Sequence, residues 1–213
     1  FYCTDVLCFM DSLASLGIPG NGNGIRYQYG LFRQKFVDGH QVELPEYWLR
    51  NQNVWETRND QSSYIVRFGG HVWMEIDHQD HWIPKYEGTQ NVLAVPYDTP
   101  MVGYRTNKVN NLRLWSAEIP VEEEENYHTV QETDQIKGIT QVLYPDDSNY
   151  EGRLLRLKQE YFMVSAGVQS IVRQFQKYNL PRKFFPEKIA IHINDTHPAL
   201  VVAELMRILV DEE

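Results

Sequence analysis

An α/β architecture follows from three features of this 213-residue chain. Ile189, Ile191 and Ile193 alternate with Ala190 and His192, which is the two-residue period of a strand. From Glu151 to about Tyr178, the residues Leu154, Leu157, Tyr161, Val164, Val168, Ile171 and Phe175 fall on steps of three and four, the stripe of a long amphipathic helix. The polar joint Asn194-Asp195-Thr196-His197-Pro198 links a strand pattern to a second helical one, carried by Leu200, Val201, Leu205, Ile208 and Leu209. Pro198 suits a first helical turn, where its missing N–H is no loss, and Asp195 or Thr196 can cap the free N–H groups there.

In chain order, Leu7, Phe9, Met10, Leu13 and Leu16 predict a helix that stops at Gly17 and Pro19. Gly17 to Gly24, GIPGNGNG, reads as a turn. Ile25, Tyr27, Tyr29, Leu31 and Phe36 read as strand residues, and Asp38-Gly39 is a hairpin signal between Phe36-Val37 and Gln41-Val42. Strands are expected over Tyr64 to Phe68, Val72 to Ile76, Asn91 to Pro96 and Asn110 to Ala117. His71, His78 and His81 fall beside these strands without metal-ligand spacing to a Cys or carboxylate. Glu122 to Glu125 reads as a solvated loop or helix start.

Leu143 to Gly152, LYPDDSNYEG, is a loop by its Pro, Asp, Ser, Asn and Gly. Asp146, Asp147, Ser148 and Asn149 offer donors and acceptors of the kind that bind sugar hydroxyls, and Tyr150 adds an aromatic face. Asp147 or Ser148 can equally cap the following helix. The two roles are compatible. The joint at Asp195 and His197 has the same two readings: a cap and a packing residue, or a ligand site at a strand's carboxyl end. Arg153, Arg156 and Lys158 stand near a helix N-terminus, an unfavourable place for cations. They are there for an anion or as ordinary surface charge. No boundary splits residues 1–213 into two independent domains.

The chain is 42% hydrophobic and 13% aromatic, enough for a sizeable core, with net charge −9 and no Lys/Arg-rich run. That balance argues against a nucleic-acid or anionic-membrane partner. No apolar run reaches membrane-spanning length, and no signal peptide opens the chain. Cys3 and Cys8 are too few for a disulfide framework and are expected as free thiols of a cytoplasmic protein. The chain begins at Phe1 without an initiator Met, and a fragment of a longer polypeptide is expected. GNGNG has a helix before it and strand-like residues after it, the reverse of a dinucleotide fingerprint, and neither GxxxxGK[ST] nor GxSxG occurs.

Several stretches together resemble one family: GIRYQYGLFRQKFVDGHQVE, PEYWLRNQNVWE, NVLAVPYDTPMVGY, VNNLRLWSAE, LYPDDSNYEGRLLRLKQEYF and IAIHINDTHPALVVAELMRI. They are similar to the glycogen/starch/maltodextrin phosphorylases, colinearly from Cys8 to Glu213. The resemblance implies phosphorolysis of terminal α-1,4-linked glucose to glucose 1-phosphate. Its substrates are an α-1,4-glucan and orthophosphate, and its cofactor is pyridoxal 5′-phosphate on a Lys outside this chain. It also implies a two-domain glycosyltransferase (GT-B-like) architecture, of which this chain is the inner part of the N-terminal domain, and a homodimer. By the same resemblance Asp147 matches the acidic residue of a loop that gates the cleft. Ser148 stands where many members have an Asn that contacts glucose. Arg156, Asp195 and His197 match cleft-lining residues, and no catalytic or metal residue is assigned. Arg173 matches a regulatory phosphate site, but Gln174 replaces its second Arg, so no such control is expected. Glu122 to Gln141 occupies the place of a subunit-contact helix and is shorter. FYCTDVL stands where the family has a Gly-rich turn: either these first residues come from a faulty reading or splice, or the phosphate loop is lost and activity with it. The rival reading is a non-catalytic glucan-binding module.

Overall fold

The computed structural model describes residues 2–127 and 129–211. Expectations resting on Phe1 and on the side chain of Cys3 lie outside the described residues. Cys8 is a free, exposed thiol.

Helix α1 (Tyr2–Ser15) ends as its glycine dictates. Gly17 adopts φ +74, its N–H donates to the Ala14 carbonyl, and Ile18 N–H donates to Leu13 at 2.9 Å. This 6→1 and 5→2 pair satisfies carbonyls that the helix end would leave orphaned. Strand β1 (Asn21–Ile25) follows directly. The expected turn over GNGNG is therefore a strand, and the turn is confined to the residues before it. A Cβ on Gly22 would lie 2.8 Å from Leu112 Cδ1 and 3.5 Å from Met10 Sδ, and one on Gly24 would lie 3.0 Å from Leu114 Cδ2. The glycines mark close approach of neighbouring side chains and not chain reversal.

Tyr27 to Leu31, expected as strand, is irregular, and Leu31 is 62% exposed. The hairpin is as read: β2 (Arg33–Val37) and β3 (His40–Leu44) pair antiparallel. Asp38 and Gly39 take φ 50 and 81, the type I′ requirement. The remaining strands are β4 (Thr57–Arg58), β5 (Tyr64–Phe68), β6 (His71–Ile76), β7 (Trp82–Glu87), β8 (Gln90–Val102) and β9 (Val109–Glu118). Four of these contain the predicted segments; β4 and β7 were not anticipated. In the main sheet, β1 runs parallel to β9, β9 pairs antiparallel with β8, and β8 pairs with both β4 and β5. β6 and β7 form a separate hairpin.

The acidic run forms a 3-10 turn (Val121–Asn126), followed by α2 (Val130–Gly138). A capping box between Thr129 and Glu132 starts α2. Helix α3 (Tyr150–Gln176) matches the long predicted stripe. Short α4 (Phe185–Lys188) and α5 (Val201–Asp211) complete the chain. The predicted strand Ile189 to Ile193 has no regular secondary structure and belongs to no sheet. Its alternation is real, but no described strand lies alongside to take its N–H and C=O groups, and Ile193 is 42% exposed.

β1 lies between two helices. Gly22 faces Met10 of α1, while Asn23, pointing to the opposite face, lies within 4 Å of the position of a Gly167 Cβ on α3. Trp115 Nε1–H donates to Asn23 Oδ1 at 3.2 Å, so the largest core residue is not left with an unpaired donor. The core between sheet and α3 comprises Val66, Val92, Ala94, Trp115, Ala117, Ile136, Ile139, Phe162 and Ala166. Burial of each large member contributes about 1.5–3 kcal/mol. A second cluster, Val164, Val168, Val172 and Ile208, packs α5 on α3. No helix among the described residues is long and apolar enough to cross a membrane.

Candidate functional site

Helix α3 is the axis on which the candidate residues are arranged. Its N-cap is Asn149, whose Oδ1 accepts from Gly152 N–H at 2.8 Å. Neither Asp147 nor Ser148 caps it, contrary to expectation: the Asp146 carboxylate takes the Ser148 N–H at 3.0 Å and also the Ser148 hydroxyl. The Ser148 hydroxyl and then its N–H hold the Asp146 carboxyl below the usual carboxylate range. The loop also presses on the first turn: a Cβ on Gly152 would lie 1.7 Å from the Asp146 carbonyl oxygen. Asp147 and Ser148 are thereby left exposed at the tip.

Arg156 sits one turn further along α3, half-buried. Its Nη1 reaches the Leu143 carbonyl at 3.5 Å, and its guanidinium stacks 5.8 Å from the Tyr144 ring centre. It thus ties the same loop to the helix. Gln159 donates to the carbonyls of Ile139 and Val142, at 3.1 and 2.9 Å, and anchors the chain that leads into the loop.

The other group lies at the joint before α5. Asp195 has φ +68, a left-handed conformation that Asp tolerates better than most residues. Its Oδ1 accepts from Thr196 N–H at 2.7 Å. Thr196 makes no side-chain cap, and Asp195 spends its carboxylate on the adjacent residue, so neither caps as expected. Pro198 does stand in the first turn, a 3-10 turn over His197–Leu200. His197 Nδ1 lies 2.9 Å from Glu160 Oε1 on α3, and its Nε2 lies 3.7 Å from Asp195 Oδ2.

Two groups therefore form. Asp147, Ser148 and Arg156 gather at the start of α3, and Asp195 and His197 gather with Glu160. Ten residues of helix, about 15 Å, separate Tyr150 from Glu160. No hydrogen bond or ion pair among the described residues joins the groups directly. Glu160 was not singled out from the sequence, although it lies four residues after Arg156 and so on the same helix face. A second residue missed is Glu204 on α5, 3% exposed. It accepts from Ser165 Oγ at 2.5 Å, from Arg207 Nε and Nη2 at 2.8 Å, and from Tyr161 OH at 3.4 Å. Burial, and then the Glu204 charge, push the Tyr161 phenol up from its ordinary value. The hydrogen bonds to Glu204 hold the Arg207 guanidinium firmly charged against a smaller opposing effect of burial. This network locks α5 to α3 and sets where His197 meets Glu160.

Fold and site define an α/β protein in which two polar loops are docked on one long helix, with carboxylates, an imidazole and an aromatic-stacked guanidinium on one side. The carbohydrate phosphorylase family profile matches residues 6–213. The chain is 52% identical over 207 residues to the glycogen phosphorylase of Bacillus subtilis, covering 97% of this chain and 26% of that protein. It is 44% identical over 221 residues to the brain form of human glycogen phosphorylase, covering 97% and 26%. To the glycogen phosphorylase of Saccharomyces cerevisiae it is 43% identical over 218 residues, covering 97% and 24%. The chain belongs to the carbohydrate phosphorylase family, and it spans about a quarter of the length of these relatives.

Proposed function

We propose that this chain forms one wall of the catalytic cleft of an α-1,4-glucan phosphorylase. That enzyme uses orthophosphate to release glucose 1-phosphate from the end of a glucan. The observation that carries the reading is the family match across residues 6–213. The geometry is compatible with it. The loop bearing Asp147 and Ser148 gates the cleft, while Arg156, Asp195 and His197 face the sugar. A hydroxyl-rich, neutral ligand suits such a surface, since carboxylate and imidazole accept and donate hydrogen bonds without requiring a charged partner.

In this reading the chain is part of the N-terminal half of a GT-B-like enzyme, cytoplasmic and homodimeric. Gln174 beside Arg173 removes the second cation of a regulatory phosphate site. The shorter Glu122 to Gln141 segment alters the subunit contact.

Neither of two concavities in the structure fits pyridoxal 5′-phosphate. One concavity of about 360 Å³ is lined by Gly88, Thr89, Gln90, Glu123, Tyr127 and Glu132, which is acidic and lacks a lysine. A second, about 220 Å³, is lined by Val172, Phe175, Gln176, Leu180, Arg182, Phe185 and Leu209 and also lacks a lysine. Lys158 lies over the Phe68 ring at 5.9 Å. The cofactor and its lysine belong to the part of the enzyme outside this chain.

The test is to express the whole enzyme and follow glucose 1-phosphate release from maltodextrin and orthophosphate. Phosphorolysis that weakens in Asp195→Asn and His197→Ala supports the reading. Glucan binding by calorimetry without phosphorolysis would replace it with the non-catalytic binding module.

A further inference from the structure

Glu160 and His197 are 37 residues apart in sequence and 2.9 Å apart in space. We propose that Glu160 is a positioning residue that fixes the His197 tautomer. It thereby presents His197 Nε2 and the Asp195 carboxylate as paired acceptors for two neighbouring sugar hydroxyls. This rests on the glucan reading above.

The chemistry follows from what each group can do. A carboxylate only accepts, so the contact at Nδ1 places the imidazole proton there. A neutral imidazole then carries its lone pair on Nε2. Asp195 Oδ2 lies 3.7 Å from Nε2, beyond hydrogen-bond reach, and two acceptors do not bond each other. Both lone pairs are therefore available, at a spacing that hydroxyls on adjacent ring carbons span. The site is open to a ligand: the His197 side chain is 48% exposed and that of Asp195 33%.

Glu160 itself is held from both sides. Gln159 before it is buried and bonded to two carbonyls, and Tyr161 after it bonds Glu204 on α5. The Ser165–Glu204–Arg207 network then fixes α5, and with it the turn that carries His197. The Glu160 carboxylate and the imidazole thus meet on two elements tied by hydrogen bonds from Tyr161 and Ser165 to Glu204 and by the apolar cluster of Val164, Val168, Val172 and Ile208. Asp195, by contrast, is held in a left-handed conformation that its own Thr196 hydrogen bond supports. That leaves Oδ2 3.7 Å from Nε2 and unbonded to it.

The experiment uses the full-length enzyme in five forms: wild type, Glu160→Ala, Glu160→Gln, His197→Ala, and Glu160→Ala with His197→Ala. KM for a maltooligosaccharide, KM for orthophosphate, kcat and Tm are measured for each. Glu160→Ala is expected to raise the glucan KM about tenfold, the size of one hydrogen bond to a charged group, and to leave the phosphate KM unchanged. Glu160→Gln keeps an acceptor and restores the glucan KM to within about threefold of wild type. In the His197→Ala background, Glu160→Ala changes the glucan KM no further. A glucan KM that does not rise, that rises together with the phosphate KM, or that rises equally without the imidazole would overturn the proposal. Glu160→Met keeps the volume and helix propensity without an acceptor and carries the same expectation should Glu160→Ala fold poorly. An inactive wild-type arm overturns the functional reading itself, whereas an active wild type with uncoupled variants overturns only the role of Glu160.

Discussion

Replacing Glu204 by Ala removes the carboxylate on which α3 and α5 converge. Its side chain is only 2% exposed, so water does not replace it cheaply. Ser165, 1% exposed, still accepts from Gln169 Nε2 at 3.1 Å but loses the acceptor of its own proton, and a buried donor left unpaired costs about 1–3 kcal/mol. Arg207 loses a bidentate partner, but it keeps Asp211 at 2.6 Å and its side chain is 32% exposed. Solvent screening limits that part to about 1 kcal/mol. The net loss is about 2–4 kcal/mol. Urea unfolding of the chain measures it: with a slope of about 2 kcal/mol per M, the midpoint falls by roughly 1–2 M at constant slope. Glu204→Gln keeps the volume and one acceptor, and falls by less than half as much. A Glu204→Ala midpoint within about 0.25 M of the parent would show that the network does not hold the helices together.

Two further outcomes follow from the geometry. Gly152→Ala drives a Cβ into the Asp146 carbonyl, so the Asp146–Asn149 loop must move. In the full-length enzyme the glucan KM is expected to rise several-fold, with roughly 1–3 kcal/mol of lost stability because the clash is with backbone, and an unchanged KM would separate this loop from substrate binding. Asp98 is opposed by burial, yet hydrogen bonds from Arg113, Asn111 and Asn59 hold its carboxyl below the ordinary value of 3.8. A depressed folded-state pKa adds stability that is present above the unfolded value and lost as pH falls through the folded one. Asp98→Asn should therefore flatten the loss of stability below about pH 4, as read from a urea-denaturation series, while a profile identical to the parent would refute the assignment.

Several elements were legible because their causes are local. Asp38-Gly39 needs only its own φ angles to make a hairpin, Gly17 needs only its own to end α1, and the stripe from Leu154 to Phe175 needs only helical spacing. The caps were less so. Asp147, Ser148 and Asn149 are all capping types, and only Asn149 stands where its Oδ1 meets the Gly152 N–H. GNGNG looked like a turn because glycine favours turns, but neighbours distant in sequence, Met10 and Leu112, required side-chain-free strand residues there. Ile189 to Ile193 has a strand's alternation, but alternation describes a face and does not supply a partner edge.

The candidate site divides along the same line. Residue types, their order and their spacing identified the family and the two polar loops, because a motif is a property of adjacent positions. Spacing along the chain could not pair His197 with Glu160, nor Glu204 with Ser165, because those contacts cross between helices. Packing of α5 on α3 supplies them: a side chain's hydrogen-bond partner is set by which surfaces the core brings within about 3 Å.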